Sequence, residues 1–240
     1  MGLCCLYRST THIAFIISIE TIEGYRNLAP TCTIHAHLSL CDPADSQFFS
    51  TSLTWSRALG VPLYLNEADK EWFQRLSDIR PNDQVVWWTG RKELGPGVTL
   101  AQCGGHVDPV TSAYSRHFPG SSILHWDRLS EPPPPLDNLP TKPTPISGII
   151  FTADTIMVQP TQSKFTFIWS APNMIPLGPH DVIKILEAVE DLPFHQATST
   201  WPGRFIRENA KEVLVDSVAS HLGRIGWKRV AGPEKIVPII

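Results

Sequence analysis

The stretch Ile149-Ile150-Phe151-Thr152-Ala153-Asp154-Thr155 decides how the chain is interpreted, because a short apolar strand ends there beside a carboxylate. Two earlier stretches also place polar side chains at or just after the end of a predicted strand. His35-Ala36-His37 follows a predicted strand at 31–35, and Gly104-Gly105-His106 follows one at 98–103. Sites in layered α/β proteins gather at strand ends, where loops place polar groups without disturbing the core. The three stretches are therefore candidates for one functional site.

These histidines and this aspartate are of the residue types that hold zinc. Imidazole nitrogen and carboxylate oxygen are both ligands that Zn²⁺ accepts. A His-x-His pair by itself is more often two partly exposed histidines, and Asp154 by itself is typical of a turn between strands. The presence of all three elements in order along the chain makes metal binding an alternative of equal standing to these simpler interpretations.

Composition and charge bound the class of protein. The chain has 240 residues, 42% of them hydrophobic, which is enough for a sizeable core in one domain. Its formal charge is −3, with 20 Lys and Arg against 23 Asp and Glu. A balance of this kind provides no basic face for phosphate backbones, so we expect a small-molecule substrate rather than nucleic acid.

Cysteine usage and hydropathy indicate a cytoplasmic protein. The five cysteines are odd in number and contain no Cys-x-x-Cys pair, so they do not form a recognisable disulfide framework. The most apolar early run, at 13–19, is far shorter than the roughly 20 residues that span a bilayer. We therefore expect no membrane association. The sequence does not indicate an oligomeric state.

Hydrophobic periodicity predicts alternating strands and helices. Strands are predicted at 13–18, 31–35, 61–65, 85–89, 98–103, 121–126, 149–152, 155–158 and 165–169. Helices are predicted at 20–28, from a cap at Ser50 or Thr51 to Leu59, at 67–76, at 179–192 and at 204–225. Several connections are too short for helical crossovers, which favours a mixed pair of sheets covered by helices over a doubly wound parallel sheet.

The whole chain, 1–240, is predicted to form a single domain. Residues 1–20 form a divergent amino-terminal segment, and 127–145 form an exposed loop with four consecutive prolines from Pro132. The strands on either side of this loop have no obvious partners of their own, so the loop is not treated as a domain boundary.

Together with Val61-Pro62-Leu63-Tyr64-Leu65 and Phe118-Pro119-Gly120-Ser121-Ser122, the three stretches resemble the metallo-β-lactamase superfamily, over about residues 21 to 225. The resemblance implies an α/β fold, an αββα sandwich with mixed sheets, whose metal site lies at one edge between the two sheets. It also implies that the opening strands usual in such domains are incomplete at the amino terminus of this chain.

The resemblance also implies a set of site residues. In the family, the His-x-His pair and the Gly-Gly-His histidine bind one zinc ion, which points to His35, His37 and His106. The aspartate of the later motif, here Asp154, bridges to a second metal and takes part in catalysis. The implied reaction is attack by a metal-activated water on a small ester, thioester or lactone-type substrate.

The first motif departs from the family pattern. The family continues His-x-His-x-Asp-His, whereas Leu38-Ser39-Leu40-Cys41-Asp42 follows the pair here. We interpret Asp42 as a solvated loop residue. Because the missing groups serve the second metal and accept a proton, one zinc ion is expected rather than two.

Two extra stretches, 38–47 and 107–117, lie directly beside the predicted histidines. Without 107–117 the sequence would read Gly-Gly-His-Phe-Pro-Gly-Ser-Ser. The stretches are either genuine loops or intervening sequence retained in the gene product. They leave two alternatives for the third ligand: His106 keeps the glycine neighbours that allow close backbone approach, and His117 keeps the downstream Phe-Pro-Gly.

Three further histidines receive structural interpretations. His195 is predicted to be a surface or loop residue, while His125 and His221 are predicted to pack within the fold. The turn beside His195, at 197–200, contains no last ligand histidine. Trp72, Trp87 and Trp88 are interpreted as core or pocket wall because such rings bury large areas.

Three functions remain open from the sequence. The first is a zinc-dependent hydrolase. The second is a catalytically inactive relative that keeps the fold and acts as a binding or structural domain. The third is a purely structural or partner-binding α/β domain without metal.

Overall fold

The computed structural model describes residues 33–34, 52–73, 75–95, 97–104, 120–127, 148–152, 156–170, 175–199, 203–231 and 236–239. The strands are β1 (Thr33–Ile34), β2 (Leu63–Asn66), β3 (Val85–Trp88), β4 (Arg91–Gly95), β5 (Val98–Gln102), β6 (Ser122–Trp126), β7 (Ile149–Thr152), β8 (Ile156–Val158), β9 (Phe165–Ser170), β10 (Ile175–Pro176), β11 (Gln196–Ser199), β12 (Phe205–Ile206), β13 (Trp227–Arg229) and β14 (Ile236–Pro238). The α-helices are α1 (Ser52–Leu59), α2 (Pro179–Val189) and α3 (Ala210–Arg224), and 3-10 helices lie at Glu67–Trp72 and Leu76–Asp78. The predicted α/β class is confirmed.

Two sheets form the centre of the fold. A three-stranded parallel sheet has the order β1-β2-β3. A six-stranded sheet has the order β12-β11-β7-β6-β5-β4 and is mixed, because β7 and β11 are parallel while the other neighbours are antiparallel. Two smaller antiparallel sheets, β10-β9-β8 and β13-β14, complete the described strands. The mixed sheets predicted from the short connections are therefore present.

Side-chain alternation divides the six-stranded sheet between two cores. In β7, Ile149 and Phe151 point to one face, while Ile150 points to the other. The first face meets the three-stranded sheet, and we call the cluster between them the inter-sheet core. Its buried members are Trp88, Val98, Leu100, Leu124, Trp126, Ile149 and Phe151, with Tyr64, Leu94 and Phe205 packed against them.

Helices cover the outer face of each sheet. Leu53 of α1 packs on Leu63 and Leu65 of the three-stranded sheet. On the other side, α2 and α3 bury their apolar faces against the six-stranded sheet, together with β8 and β9. The layers therefore run helix, sheet, sheet, helix. This is the αββα arrangement predicted from the sequence.

The ends of the helices follow local signals. Gly60, with φ of +66°, ends α1 as predicted, because a left-handed conformation without a Cβ satisfies the last turn. Pro179 begins α2 in its first turn, where its missing N–H is not needed.

The prediction of one helix over 204–225 was wrong at its start. Phe205 and Ile206 form β12, which pairs antiparallel with β11, and α3 begins only at Ala210. Asn209 adopts a φ of 54° and separates the two elements. The helical periodicity of the sequence runs through this boundary, but sheet pairing overrides it.

Two further predictions need correction. Residues 197–200 were interpreted as a turn, yet Gln196–Ser199 form β11, parallel to β7. Residues 67–76 were predicted to be one helix, but they form two short 3-10 segments. Phe73 leaves the helical conformation between them (φ −75°, ψ 91°) and is buried against the sheet, which interrupts the helix.

Strand β4 was not predicted at all. Its sequence, Arg-Lys-Glu-Leu-Gly, is charged and lacks apolar alternation because β4 is an edge strand with two exposed residues. The predicted strand at 13–18, the helix at 20–28 and residues 128–145 of the predicted loop lie outside the described residues. Within the described part of the chain, no helix is long and apolar enough to cross a membrane.

The layer arrangement predicts a large effect of truncation in the inter-sheet core. Leu100→Ala removes a side chain that is 0% exposed, so we expect it to lower the free energy of unfolding by about 2–5 kcal/mol. Val215→Ala, at a position 41% exposed on α3, is the control and should change it by less than about 0.5 kcal/mol. Urea unfolding followed by circular dichroism measures both. Equal effects of the two variants would contradict the layer assignment.

Candidate functional site

The predicted site residues, His35, His37, His106, His117 and Asp154, all lie outside the described residues. The described residues that flank them nevertheless show where each segment leaves the sheets. Within the described ranges, no group of three His, Cys, Asp or Glu residues is arranged to hold a metal ion. The described geometry nearest to the predicted site residues is that of the strand ends beside them.

The first strand end belongs to the three-stranded sheet. Ile34 is the last residue of β1 and lies beside Tyr64 of the parallel strand β2. The carboxyl ends of β1 and β2 consequently lie at the same edge, which we call the site edge. His35 follows Ile34 directly in the chain, and Asn66 is the last residue of β2.

The six-stranded sheet brings four further strand ends together. Gln102, at the end of β5, pairs with Ser122 at the start of β6. The N–H groups of Cys103 and Gly104 both donate to Ser121 O, at 2.8 Å each. His106 follows Gly104 by two residues, so its segment leaves from this end of β5.

The neighbouring strands β7 and β11 end at the same edge. Thr152, the last residue of β7, lies beside Ser199, the last residue of the parallel strand β11. Because β6 is antiparallel to β7, its start also lies at this edge. Asp154 follows Thr152 by two residues.

A hydrogen bond joins this edge of the six-stranded sheet to the site edge of the three-stranded sheet. Gly120, two residues before β6, donates its N–H to Asp69 Oδ1 at 2.6 Å. Asp69 lies in the 3-10 helix that directly follows β2. The described strand ends beside these segments, those of β1, β2, β5, β6 and β7, therefore lie at one edge between the two sheets.

Asp69 is itself a buried ionisable group, 3% exposed. Burial raises its pKa to about 7, and the hydrogen bond from Gly120 opposes that rise. Among the described residues, its Oδ2 atom has no hydrogen-bond partner. A carboxyl group in this state can hold or release a proton near neutral pH.

Asp69 has a close polar neighbour at the end of β2. Asn66 is also buried, and its side-chain oxygen accepts the N–H of Ala68 at 3.0 Å, which shapes the turn that presents Asp69. Within the described part of the chain, neither the Nδ2 atom of Asn66 nor the Nε1 atom of its strand partner Trp88 has a hydrogen-bond partner. The site edge is thus a polar region set beside an apolar core.

Gly120 is the only residue type that fits its position. A Cβ atom there would overlap the Asp69 carboxylate and lie 2.7 Å from Asn66 Cβ. Real Cβ atoms do not approach other atoms so closely, so the backbone of Gly120 reaches Asp69 only because it lacks a side chain. Steric crowding therefore requires a glycine at this position of the Phe-Pro-Gly-Ser-Ser stretch.

The structural interpretations of His125 and His221 are confirmed. His125 is buried, its Nε2 atom lies 2.7 Å from Pro193 O, and burial lowers its pKa. The Nε2 atom of His221 lies 2.9 Å from Leu177 O, and its ring packs edge-on against Phe167. Both rings are held by backbone carbonyls inside the fold.

The interpretations of His195, Trp87 and Trp88 agree with the described structure, whereas Asp42 and the side chain of Trp72 lie outside it. His195 is partly exposed just before β11, away from the site edge, and its Nδ1 atom accepts the N–H of Asn209 at 3.4 Å. Trp88 belongs to the inter-sheet core. Trp87 packs against the core beneath α1, with its ring edge-on to Phe73.

Asp69 was not among the predicted site residues. Its surroundings, Glu67-Ala68-Asp69-Lys70, are typical of a solvated helical turn, and nothing in that pattern indicates a buried carboxyl group. Its partner Gly120 belongs to the Phe-Pro-Gly-Ser-Ser stretch, which entered the sequence-based predictions only as part of the family resemblance. The group that Gly120 contacts could not be inferred from the sequence.

Comparisons with known proteins give limited likenesses. No protein-family model matches the chain. The uncharacterized protein YmaE of Bacillus subtilis (strain 168) is 28% identical over 176 residues, which are 73% of this chain and 53% of YmaE. The chain thus spans about half the length of the curated relative that it matches.

Two solved structures show a weak similarity to this chain. One is an N-acyl homoserine lactone hydrolase with the product N-hexanoyl-L-homoserine bound at the catalytic metal centre, and the other is an AiiA variant of B. thuringiensis with N-decanoyl-L-homoserine at the active site. Each is 14% identical, with a TM-score of 0.36, and the match covers 67% of this chain and 52% of that structure. A TM-score this low assigns no activity to the chain.

The raised pKa of Asp69 predicts a specific dependence of stability on pH. The unfolded carboxyl has a pKa near 3.8 and the folded one about 7, so the native state holds more protons between these values. Stability should therefore be greatest below the unfolded pKa and fall as pH rises towards about 7, by about 2–4 kcal/mol. Asp69→Asn cannot ionise and should remove this contribution.

The measurement is urea unfolding of chelator-treated wild-type and Asp69→Asn protein from about pH 5 to about pH 8. The difference in free energy of unfolding between the variant and the wild type should shift in favour of the variant as pH rises. Parallel pH profiles would show that Asp69 has an ordinary pKa and would contradict the prediction.

Proposed function

We propose that this chain is a metal-dependent hydrolase of the metallo-β-lactamase type, acting on a small ester, thioester or lactone-type substrate. The observation that supports the proposal most strongly is the convergence of strand ends. The ends of β1, β5 and β7 and the start of β6 adjoin one edge between the two sheets. The segments with the predicted histidines and aspartate continue from these ends.

The donor set fits a single zinc ion. His35, His37 and either His106 or His117 would hold the ion, and Asp154 is proposed both as a ligand and as the catalytic carboxylate. When bound, zinc would supply a water whose pKa is lowered towards about 7, ready to attack a carbonyl carbon. A second metal is not part of the proposal, because the first motif lacks its usual Asp and third His.

The described residues contribute the surroundings of this site. Trp88 and Phe151 close the inter-sheet core beneath the edge and keep water out of it. Thr152 and Ser199 end adjacent parallel strands, where the Oγ1 atom of Thr152 donates to Thr198 O at 3.3 Å. These contacts hold the ends of β7 and β11 together at the edge from which the proposed ligand segments continue.

The proposal also covers where the protein acts and what it binds. A net charge of −3 and an odd number of cysteines support a cytoplasmic, single-domain protein that binds a small molecule rather than nucleic acid or a membrane. The third possibility, a domain without metal, differs from the proposal in its zinc content.

A catalytically inactive relative is the alternative function. The observation that favours it is the replacement of the usual first-motif continuation by Leu38-Ser39-Leu40-Cys41-Asp42. Zinc-loaded protein assayed on a panel of small esters, thioesters and lactones separates the two. Hydrolysis that chelation abolishes and zinc restores supports the enzyme, whereas zinc binding without hydrolysis of any of them supports the inactive relative.

Purified wild-type protein should contain about one equivalent of zinc, and the double variant His35→Ala/His37→Ala should contain almost none. Removing two imidazole ligands leaves too few donors for a stable tetrahedral site. Metal content is measured by plasma mass spectrometry after dialysis against metal-free buffer.

The matched control is His180→Ala/His195→Ala, which also removes two histidines, both in the described part of the fold and neither among the predicted ligands. It should keep the wild-type zinc content. Absence of zinc from well-folded wild-type protein, including after incubation with added zinc, would contradict the proposed function.

Single substitutions should identify the third ligand. His106→Ala and His117→Ala are expected to differ, because only one of these histidines completes the site. The variant that loses the ligand should bind zinc at least about tenfold more weakly in competition with a chromophoric chelator. The other should match the wild type, and equal affinities in all three proteins would show that neither histidine is a ligand.

A further inference from the structure

The buried carboxyl group of Asp69 fixes the spacing of the two sheets at the site edge. Its Oδ1 atom accepts the N–H of Gly120 at 2.6 Å, although the two residues are 51 positions apart. Asp69 follows the three-stranded sheet through β2, and Gly120 precedes the six-stranded sheet through β6. The bond therefore joins two separate layers rather than two parts of one turn.

The turn at Gly120 passes this constraint to the end of β5. The hydroxyl of Ser122 donates to Gly120 O at 2.6 Å, and Ser121 O accepts both the Cys103 and the Gly104 N–H. Any displacement of Gly120 consequently moves the backbone on which the end of β5 depends.

Close packing prevents the turn from sliding. The space beside the Gly120 Cα is filled by the Asp69 carboxylate and by Asn66 Cβ, so even a methyl group would not fit. Asn66 in turn holds the start of the 3-10 helix through its bond from Ala68 N–H. The carboxyl group is thus held in position from both sides.

The Asp69 carboxyl group is buried and incompletely paired within the described part of the chain. Asp69 is 3% exposed, its Oδ2 atom has no hydrogen-bond partner, and no cation pairs with it among the described residues. A buried polar atom left unpaired costs about 1–3 kcal/mol, and loss of the carboxyl group would leave the Gly120 N–H without its acceptor. The retained feature is the directed hydrogen bond to Gly120.

We infer that Asp69 is a positioning residue of the proposed metal site: by holding Gly120 against the end of β2, it sets where the segments that carry His106 and His117 meet the sheets. His106 lies two residues beyond Gly104, and His117 lies three residues before Gly120. The inference rests on the proposed function. Asp69 acts through the backbone and is not itself assigned as a ligand.

Zinc affinity measured by competition with a chromophoric chelator tests the inference. Asp69→Ala removes the acceptor of the Gly120 N–H and should weaken zinc binding by about 10- to 100-fold, as loss of an outer-shell partner does. Asp69→Asn keeps an acceptor oxygen in the same place and should stay within about threefold of the wild type. The absorption spectrum of the cobalt-substituted protein should shift in Asp69→Ala and match the wild type in Asp69→Asn.

The matched control is Asp83→Ala. Asp83 accepts hydrogen bonds from Arg57 Nε at 2.7 Å and Nη2 at 2.6 Å, but it precedes β3 and therefore lies at the opposite end of the three-stranded sheet. This variant should lose stability without a change in zinc affinity or cobalt spectrum. It separates a general loss of stability from a displaced metal site.

Gly120→Ala disrupts the same contact, because the added methyl group would overlap the Asp69 carboxylate. It should also weaken zinc binding by about 10-fold or more. If Asp69→Ala does not fold, Asp69→Ser, which is too short to reach Gly120, replaces it with the same expectation. Wild-type zinc binding with unchanged affinity in the folded Asp69 variants would overturn the inference alone. Absence of zinc from the wild type would overturn the proposed function and this inference with it.

Discussion

The fold depends on burying both faces of the six-stranded sheet. Its central strands β5, β6 and β7 carry apolar side chains on each face, so neither face can be left to water. One face is covered by the three-stranded sheet and the other by α2, α3 and the strands β8 and β9. With both faces occupied, polar chemistry is confined to the edges of the layers. The site edge is where strand ends from both sheets meet.

At that edge, an apolar interface changes to a polar one over a few residues. Leu65 is buried in the core beneath α1, while the next residue, Asn66, begins a turn whose side chains include the buried carboxyl group of Asp69. Trp88 shows the same change within one side chain, since its ring is buried in the inter-sheet core while its Nε1 atom has no hydrogen-bond partner among the residues that the structure describes. Polar groups held this tightly define positions better than they stabilise the fold.

The sequence predicted the parts of the fold that alternation and turn residues specify. β7 was predicted with its observed bounds because Ile149, Ile150 and Phe151 are apolar on both faces, as a central strand requires. The end of α1 was predicted because Gly60 is suited to a left-handed cap. By contrast, β4 and β11 are short and polar, and they are strands only because neighbouring strands pair with them. Tertiary pairing of this kind leaves no periodic signal in one sequence.

The candidate site was predictable to the same extent. The positions of strand ends before His35, His106 and Asp154 followed from apolar runs, and the described strands end at one edge as the resemblance implied. The role of Asp69 could not be predicted, because its burial depends on Gly120, which is 51 residues away. Long-range contacts of single polar groups are set by the packed structure and are not visible in local sequence.

The hydrogen bonds of Ser121 to Cys103 and Gly104 have a consequence for how this fold tolerates changes in length. They fix the two chain ends between which residues 105–119 run, so extra residues there extend a connection whose anchors are already fixed. The entropy of closing a flexible connection rises only with the logarithm of its length, by about 0.6 kcal/mol for each doubling. Added residues between two anchors that are already fixed therefore cost little for folding, so this edge of the six-stranded sheet tolerates changes in chain length.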